Sequence, residues 1–274
     1  MFSVVILTLN EEKALPECLR SLAGIDDIVI LDSGSSDATV AIAEASGARV
    51  FVRPFDSFAG QRNYAQQSIG FRHPWVFHLD ADERMTDHLA AECRHASSRS
   101  DLDGFRLAPR MIFEGRWIPH CTDFPAYQAR FVRSPEFEFI QAGHGQREAP
   151  NMRVATLRES YIHDISVYGV DDWLAKHRRY AKAEARKTLL ERPEHESWRH
   201  IYSSDALLRR RALKRLSFQL PCRPVFRFAY QYVLRRGFLD GPQGFRYCLL
   251  LARYEGFITD EIHKLKAAIS GDIH

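Results

Sequence analysis

Four short apolar runs share the first eighty residues with three helical patterns, and this alternation restricts the fold more than any other feature. The runs are Val4 to Leu7, Ile28 to Leu31, "ARVFV" at 48–52 and "PWVFHL" at 74–79. Between the first two, Leu15, Leu19 and Leu22 recur every three or four residues, the spacing of a helix face. Asp37 is placed to cap a second helix running through Ala45, and Gly47 to end it. "FAGQRNYAQQSI" at 58–69 has the composition of a third. Strands alternating with helices give an α/β fold: a Rossmann-like, mainly parallel sheet flanked by helices on both faces. Ligands of such sheets gather at the carboxyl ends of the strands, where Asp32 and Asp80 both fall.

The fourth run ends in Asp80-Ala-Asp82. Like charges so close imply either a cation between them or a shifted pKa. A Mg2+ or Mn2+ site completed by a bound diphosphate fits two hard carboxylate donors at the binding edge. A solvated strand end is the plain alternative. A dinucleotide dehydrogenase would carry GxGxxG after the first strand, where this chain has "TLNEE". A Mg2+-dependent phosphohydrolase would need a Thr or Val after the acidic pair, and "DADER" has neither.

Beyond residue 100 the pattern loosens. "GFRLAPRMIFEGRWI" and "YQARFVR" read as strands, antiparallel in part, and "VDDWLAKHRRYAKAEARKTLL" as a long helix. The expected division is a catalytic domain over 1–165 and a helical, basic C-terminal region over 166–274. A chain of 274 residues can bury a substantial core. Its five cysteines lack any CxxC spacing, which suits a reduced compartment without structural zinc. The start has no basic region ahead of its apolar run, so it reads as a first strand and not a leader. No window approaches the apolar length of a membrane span.

"VVILTLNEE", "IVILDSGSSDAT", "QRNYA" and "HLDADER", in this order, resemble family 2 glycosyltransferases of the GT-A fold. Downstream, "YIHD", "WLAKHRRYAKAEA" and "YVLRRGFLDGPQGF" are similar to the branch that builds lipopolysaccharide core and exopolysaccharide. The resemblance implies an enzyme with a nucleotide-diphosphate sugar donor, UDP-sugars being the usual case. It implies that Thr8, Asn10 and Glu11 line the nucleotide pocket and that Asp32, with Ser33 beside it, contacts base or ribose. Arg62 and Asn63 would face the nucleotide or its phosphates. Asp80 and Asp82 match the DxD motif that holds the metal on the diphosphate; His163 in "YIHD" is a candidate metal ligand or diphosphate contact, with a packed, hydrogen-bonded histidine as the plain alternative. One direct displacement would invert the anomeric centre, and the acceptor hydroxyl needs a base. Where relatives carry a His-Glu pair, this chain reads "QAGHGQREAP"; Glu148 is the choice by register, with Asp123 and His144 as rivals.

The net charge of +3 conceals a segregation: nine Lys or Arg and no acid lie between Ala206 and Leu239. Interleaved with Leu208, Leu216, Val225 and Phe228, this basic stretch suggests a surface that rests on anionic lipid, as an enzyme with a lipid-linked saccharide acceptor requires. That places the protein in the cytoplasm, peripheral on the inner face of the cytoplasmic membrane. Self-association into a homo-oligomer is the other use of such a surface. No nucleic-acid-binding motif is present, so nucleic acid is not an expected partner. A non-catalytic nucleotide-sugar or membrane-binding module is the competing class.

Overall fold

Three of the four apolar runs become strands buried on both faces; the third run, at 48–52, becomes one that is only half-buried, with Val52 65% exposed. In the computed structural model, which describes residues 1–142, 145–190, 202–205, 209 and 222–271, β1 (Ser3–Thr8), β2 (Ile28–Asp32), β3 (Arg49–Val52) and β4 (Trp75–Asp80) lie parallel in the order β3-β2-β1-β4. The side chains alternate as a pleated strand requires. Val4 and Ile6 of β1 join Leu15, Cys18 and Leu22 on one face, where α1 (Leu15–Arg20) packs; Val5 joins Ala65 and Ile69 on the other, under α3 (Phe58–Ser68). The helices on both faces that the sequence predicts are therefore present.

Local chemistry sets the helix ends. The Ser57 side chain accepts the Gly60 N–H at 3.0 Å to start α3, and Thr86 does the same for Leu89 at the start of α4 (Asp87–Ala96). Between β2 and β3, α2 (Thr39–Ala45) ends at Gly47, whose φ of +79° is left-handed and suits glycine. The parallel register sets Thr8 opposite Asp32 and Leu7 opposite Asp80, so both acids stand at one carboxyl edge.

The remainder of the sheet is where the chain reverses. β9 (Gln128–Arg133) runs antiparallel to β4 and to β6 (Gly104–Leu107), and β12 (Val154–Thr156) adds to β6. Phe131 of β9 lands on Phe77, within an aromatic core that includes Phe2, Trp75, Phe105 and Tyr161. A second sheet, in the order β5-β13-β7-β8, joins β5 (Glu83–Arg84), β7 (Arg110–Phe113), β8 (Arg116–Trp117) and β13 (Ile162–Asp164). Strands β10 (Phe139–Ala142) and β11 (Gly145–Glu148) form a hairpin.

The chain separates into two compact units, residues 1–117 with 123–167, and residues 118–122 with 168–274. The second contains α5 (Gly169–Leu190), α6 (Arg223–Ala229) and α7 (Gly241–Gly271). Its short 118–122 segment is anchored by Asp240, a buried carboxylate that accepts the Cys121 N–H at 2.8 Å and pairs with His120 Nδ1 at 2.6 Å. Among the described residues no helix is long and apolar enough to cross a membrane. Much of the basic stretch, 206–208 and 210–221, lies outside the described residues.

At the amino edge of the sheet, Asp27 is 2% exposed and accepts hydrogen bonds from Ser3 Oγ at 2.6 Å, the Arg72 N–H at 2.8 Å and the Arg49 guanidinium at 2.9 Å. Burial opposes its charge, but these donors outweigh burial and hold the carboxyl below the usual range. A depressed folded-state pKa contributes stability above the unfolded value of about 3.9, and that stability is lost as pH falls through the folded value. The thermal midpoint of the wild type should therefore fall through the acid range more steeply than that of Asp27→Asn, as differential scanning calorimetry would show.

Candidate active site

Three acids in four residues, Asp80, Asp82 and Glu83, meet at the end of β4, and the fold supplies the positive charge that makes this tolerable. Arg62, on α3, reaches Asp80 Oδ1 at 2.8 Å. Arg130, on β9, reaches Asp80 Oδ2 at 3.1 Å and Glu83 Oε1 at 2.9 Å, while its other amino group donates to the His78 carbonyl at 3.3 Å. The second Glu83 oxygen accepts the Asp80 N–H at 2.8 Å. Arg62 is wholly buried, Arg130 and Glu83 nearly so. Burial works against charge on Asp80, yet the two guanidiniums hold it well below the usual carboxylate range. Burial, with Asp80 and Asp82 close by, pushes Glu83 up.

The motif "YIHD" arrives at this cluster by strand pairing across some eighty residues of chain. In the second sheet β13 pairs antiparallel with β5, setting His163 opposite Glu83, and the Asp164 N–H donates to the Asp82 carbonyl at 3.1 Å. His163 Nε2 then stands 3.2 Å from Asp82 Oδ2, both side chains about a quarter exposed. Burial alone would lower the His163 pKa, but Asp82 and then Glu83 outweigh it and raise it to about 9.

Of the proposed metal ligands, Asp80 has one oxygen on each arginine, whereas Asp82 and His163 face each other at the spacing of neighbouring donors to one ion. Among the described residues no group of three or more His, Cys, Asp or Glu side chains could hold a metal unaided. Two protein donors suit Mg2+ or Mn2+ when substrate phosphates and water complete the shell, so the residues fit an ion that arrives with a diphosphate.

The loops after β1 and β2 lock into each other. Asp32 is 1% exposed and accepts from Thr8 Oγ1 at 2.8 Å, Ser35 Oγ at 2.6 Å, and the N–H groups of Gly34 at 2.8 Å and Ser35 at 2.7 Å. Burial raises its pKa, but these donors prevail and the carboxyl is held low. Asn10, in the left-handed region at φ 57°, accepts the Ser36 N–H at 2.8 Å; the Glu11 N–H donates to Thr39 Oγ1 at 2.7 Å. Asp37, read as a helix cap, accepts from the Thr39 N–H at 3.0 Å and also from the Glu12 N–H at 3.2 Å. Gln61 Nε2 of α3 donates to Ser33 Oγ at 3.3 Å. The "TLNEE" and "DSGSSDAT" stretches thus form one cradle at the carboxyl edge.

Other predicted site residues are placed differently. Arg62 turns inward with Nη2 on Asp80 while its buried Nε and Nη1 have no hydrogen-bond partner among the described residues, and Asn63 bonds the Phe139 backbone in both directions at 2.8 and 2.9 Å. Both lie on the inner side of α3 because it covers the sheet and the β10–β11 hairpin. Glu148, at the end of β11, faces Arg106 at 3.5 Å, and not the Arg147 beside it in sequence. Asp123 is exposed in the first unit, one residue past the 118–122 segment. His144 lies outside the described residues. Arg130 and Glu83 escaped sequence reasoning. The available signal was an arginine between the apolar residues Ala129 and Phe131 in a strand buried on both faces.

Exchanging Arg130 for Met would leave Asp80 and Glu83 close together with only Arg62 on Asp80 and His163, 3.9 Å from Glu83, in compensation. Breaking a buried pair on one side costs about 3–5 kcal/mol. Arg130→Met should therefore lower unfolding free energy in urea by that order, and Arg130→Lys by less.

The family model "Glycosyl transferase family 2" matches residues 3–120. A protein of Rhizobium meliloti named lipopolysaccharide core biosynthesis glycosyltransferase LpsC is 37% identical over 191 residues, 67% of this chain and 70% of its own. An uncharacterized glycosyltransferase of Rickettsia bellii is 32% identical over 104 residues, 38% of this chain and 35% of its own length. Among solved structures, S. aureus TarS in complex with UDP-GlcNAc is 16% identical with a TM-score of 0.45, over 92% of this chain and 91% of that one.

Proposed function

We propose a reaction for a chain that belongs to glycosyltransferase family 2: it moves a sugar, with inversion, from a UDP-sugar to a lipid-linked saccharide acceptor of lipopolysaccharide core or exopolysaccharide synthesis. Family membership makes it a glycosyltransferase. The observation that carries the finer reading is the Asp82–His163 pair at the carboxyl end of β4, which a cation would enter by displacing the histidine's proton, while the arginines occupy Asp80. The acceptor class is supported by the likeness to the R. meliloti enzyme named for lipopolysaccharide core biosynthesis.

In this reading the nucleoside lies over the interlocked loops. Asn10, Glu11 and Ser33 form the walls, and Asp32 and Thr8 the floor. Asp32 acts mainly by fixing the loop, because its four hydrogen bonds hold Gly34 and Ser35 in place. Asp82 and His163 would hold Mg2+ or Mn2+, which supplies positive charge against the departing nucleoside diphosphate. The Arg130–Asp80–Glu83 network holds the strand end still, so that Asp82 keeps its aim without a conformational search. Glu148 accepts the proton of the attacking hydroxyl, with Asp123 as the second carboxylate to be tested. The acceptor's lipid places the enzyme at the cytoplasmic face of the membrane.

Transfer from radiolabelled UDP-glucose and related UDP-sugars to lipid-linked saccharide tests this. Asp82→Ala and His163→Ala should each lower kcat/KM by about 10²–10³-fold, the loss seen when one stabilising group is removed from a developing anion. Glu148→Gln should lower kcat by a factor on the order of 10²–10⁴ with little change in donor KM. Full activity in Glu148→Gln alongside a collapse in Asp123→Asn would move the base to Asp123; full activity in Asp82→Ala would refute the metal site.

A further inference from the structure

Among its described residues the second unit carries an exposed apolar surface. Nine of the eighteen exposed large apolar side chains among the described residues fall between Val225 and Leu249. Phe226, Tyr230 and Leu234 recur every four residues along the continuous helical stretch that runs from α6 through a π-helical turn, Tyr230–Leu234. Phe245 and Leu249 recur likewise on α7. These exposed groups rest on a fixed support: Phe228 stacks on Tyr232 at 5.2 Å between centroids, and both meet the Phe245 ring, at 5.7 and 5.5 Å. Leu234 is 75% exposed, Val225 65% and Val233 57%, values that a monomer in water gains nothing by displaying together.

The charge around this face is of one sign. Residues 222–253 contain six arginines and a single acid, Asp240; one of the six, Arg223, is buried and paired with Glu255 at 2.7 Å, so five remain for the surface. Asp240 is buried and engaged by His120 and the Cys121 N–H, so it offsets nothing at the surface. Arg236, Arg246 and Arg253 are exposed. The preceding 206–221 adds five more Lys or Arg and no acid by sequence. A second copy of the chain is a poor occupant, because an isologous contact would set this arginine-rich face against itself. Anionic headgroups over an acyl layer match both features, since apolar side chains enter the layer while guanidiniums stay with phosphate.

We propose that the face formed by Phe226, Tyr230, Val233, Leu234, Phe245 and Leu249 is a docking surface for an anionic lipid bilayer. It deepens, and rests on, the reading of the acceptor as lipid-linked, and it names the part of the chain that meets the membrane.

Flotation of the full chain with phosphatidylcholine vesicles, and with vesicles also containing phosphatidylglycerol, tests it without substrate. The wild type should float with the anionic vesicles, less so in high salt. Val233→Glu with Leu234→Glu should lower the partition coefficient by about tenfold or more, since two apolar groups are replaced by charges of the wrong sign. The double variant should keep the wild-type thermal midpoint within a few degrees and equal transfer to a delipidated, soluble acceptor. Absence of flotation, equal binding to neutral vesicles, or unchanged binding in the variant would overturn the proposal. So would light scattering that shows a wild-type dimer converted to monomer by the variant. Vesicle binding that survives while no sugar is transferred would count against the reaction and support the docking surface.

Discussion

The contact on which the candidate site depends is that of Arg130 with Asp80 and Glu83. Without it the end of β4 would bring three carboxylates together in a space partly closed to water, and Coulomb repulsion at low dielectric would open the turn. The guanidinium bridges two acids with its planar donors, which a lysine could do only as a point charge. It arrives from a strand that runs against β4. The antiparallel β9 is therefore as much a part of the site as the parallel strands that display the acids, and Arg62 completes the balance from the helix above the sheet.

Rigidity elsewhere has the same origin, in polar groups that answer one another across the sheet edge. Asp32 ties its own loop and reaches Thr8, while Asn10, Glu11 and Glu12 bond the turn that starts α2. A site built this way presents a preformed floor to a ligand, so less of the binding energy is lost to ordering loops. The second unit uses the principle once more: Asp240 gathers the backbone of the 118–122 segment, and the Gln231 side chain donates to the Cys121 carbonyl. Among the described residues its outer face between Phe226 and Leu249 has no such completion.

Much of the first unit could be read from period and punctuation. Apolar runs of four to six residues and the stop at Gly47 are local signals, and local signals survive into the fold because nothing in the tertiary packing opposes them. The carboxylates at the strand ends were visible for the same reason. What α3 does with Arg62 was less visible. Arg62, Ala65, Gln66 and Ile69 form its buried stripe, at spacings of three and four, yet an arginine and a glutamine in "QRNYAQQ" read as an outward polar face. Only a buried acid opposite makes the inward rotamer favourable.

The sequence by itself determined the α/β alternation, the edge at which ligands would bind and the pair of acids there, since each follows from residues adjacent in the chain. Tertiary structure decided which acid the arginines neutralise and which is left to His163. Arg130 lies fifty residues from Asp80, and His163 eighty-one from Asp82, and no local pattern encodes which of them will meet. That choice depends on strand order and register, set by the cooperative packing of the aromatic core around Phe131 and Tyr161, so the division of labour between Asp80 and Asp82 exists only once the two sheets have formed.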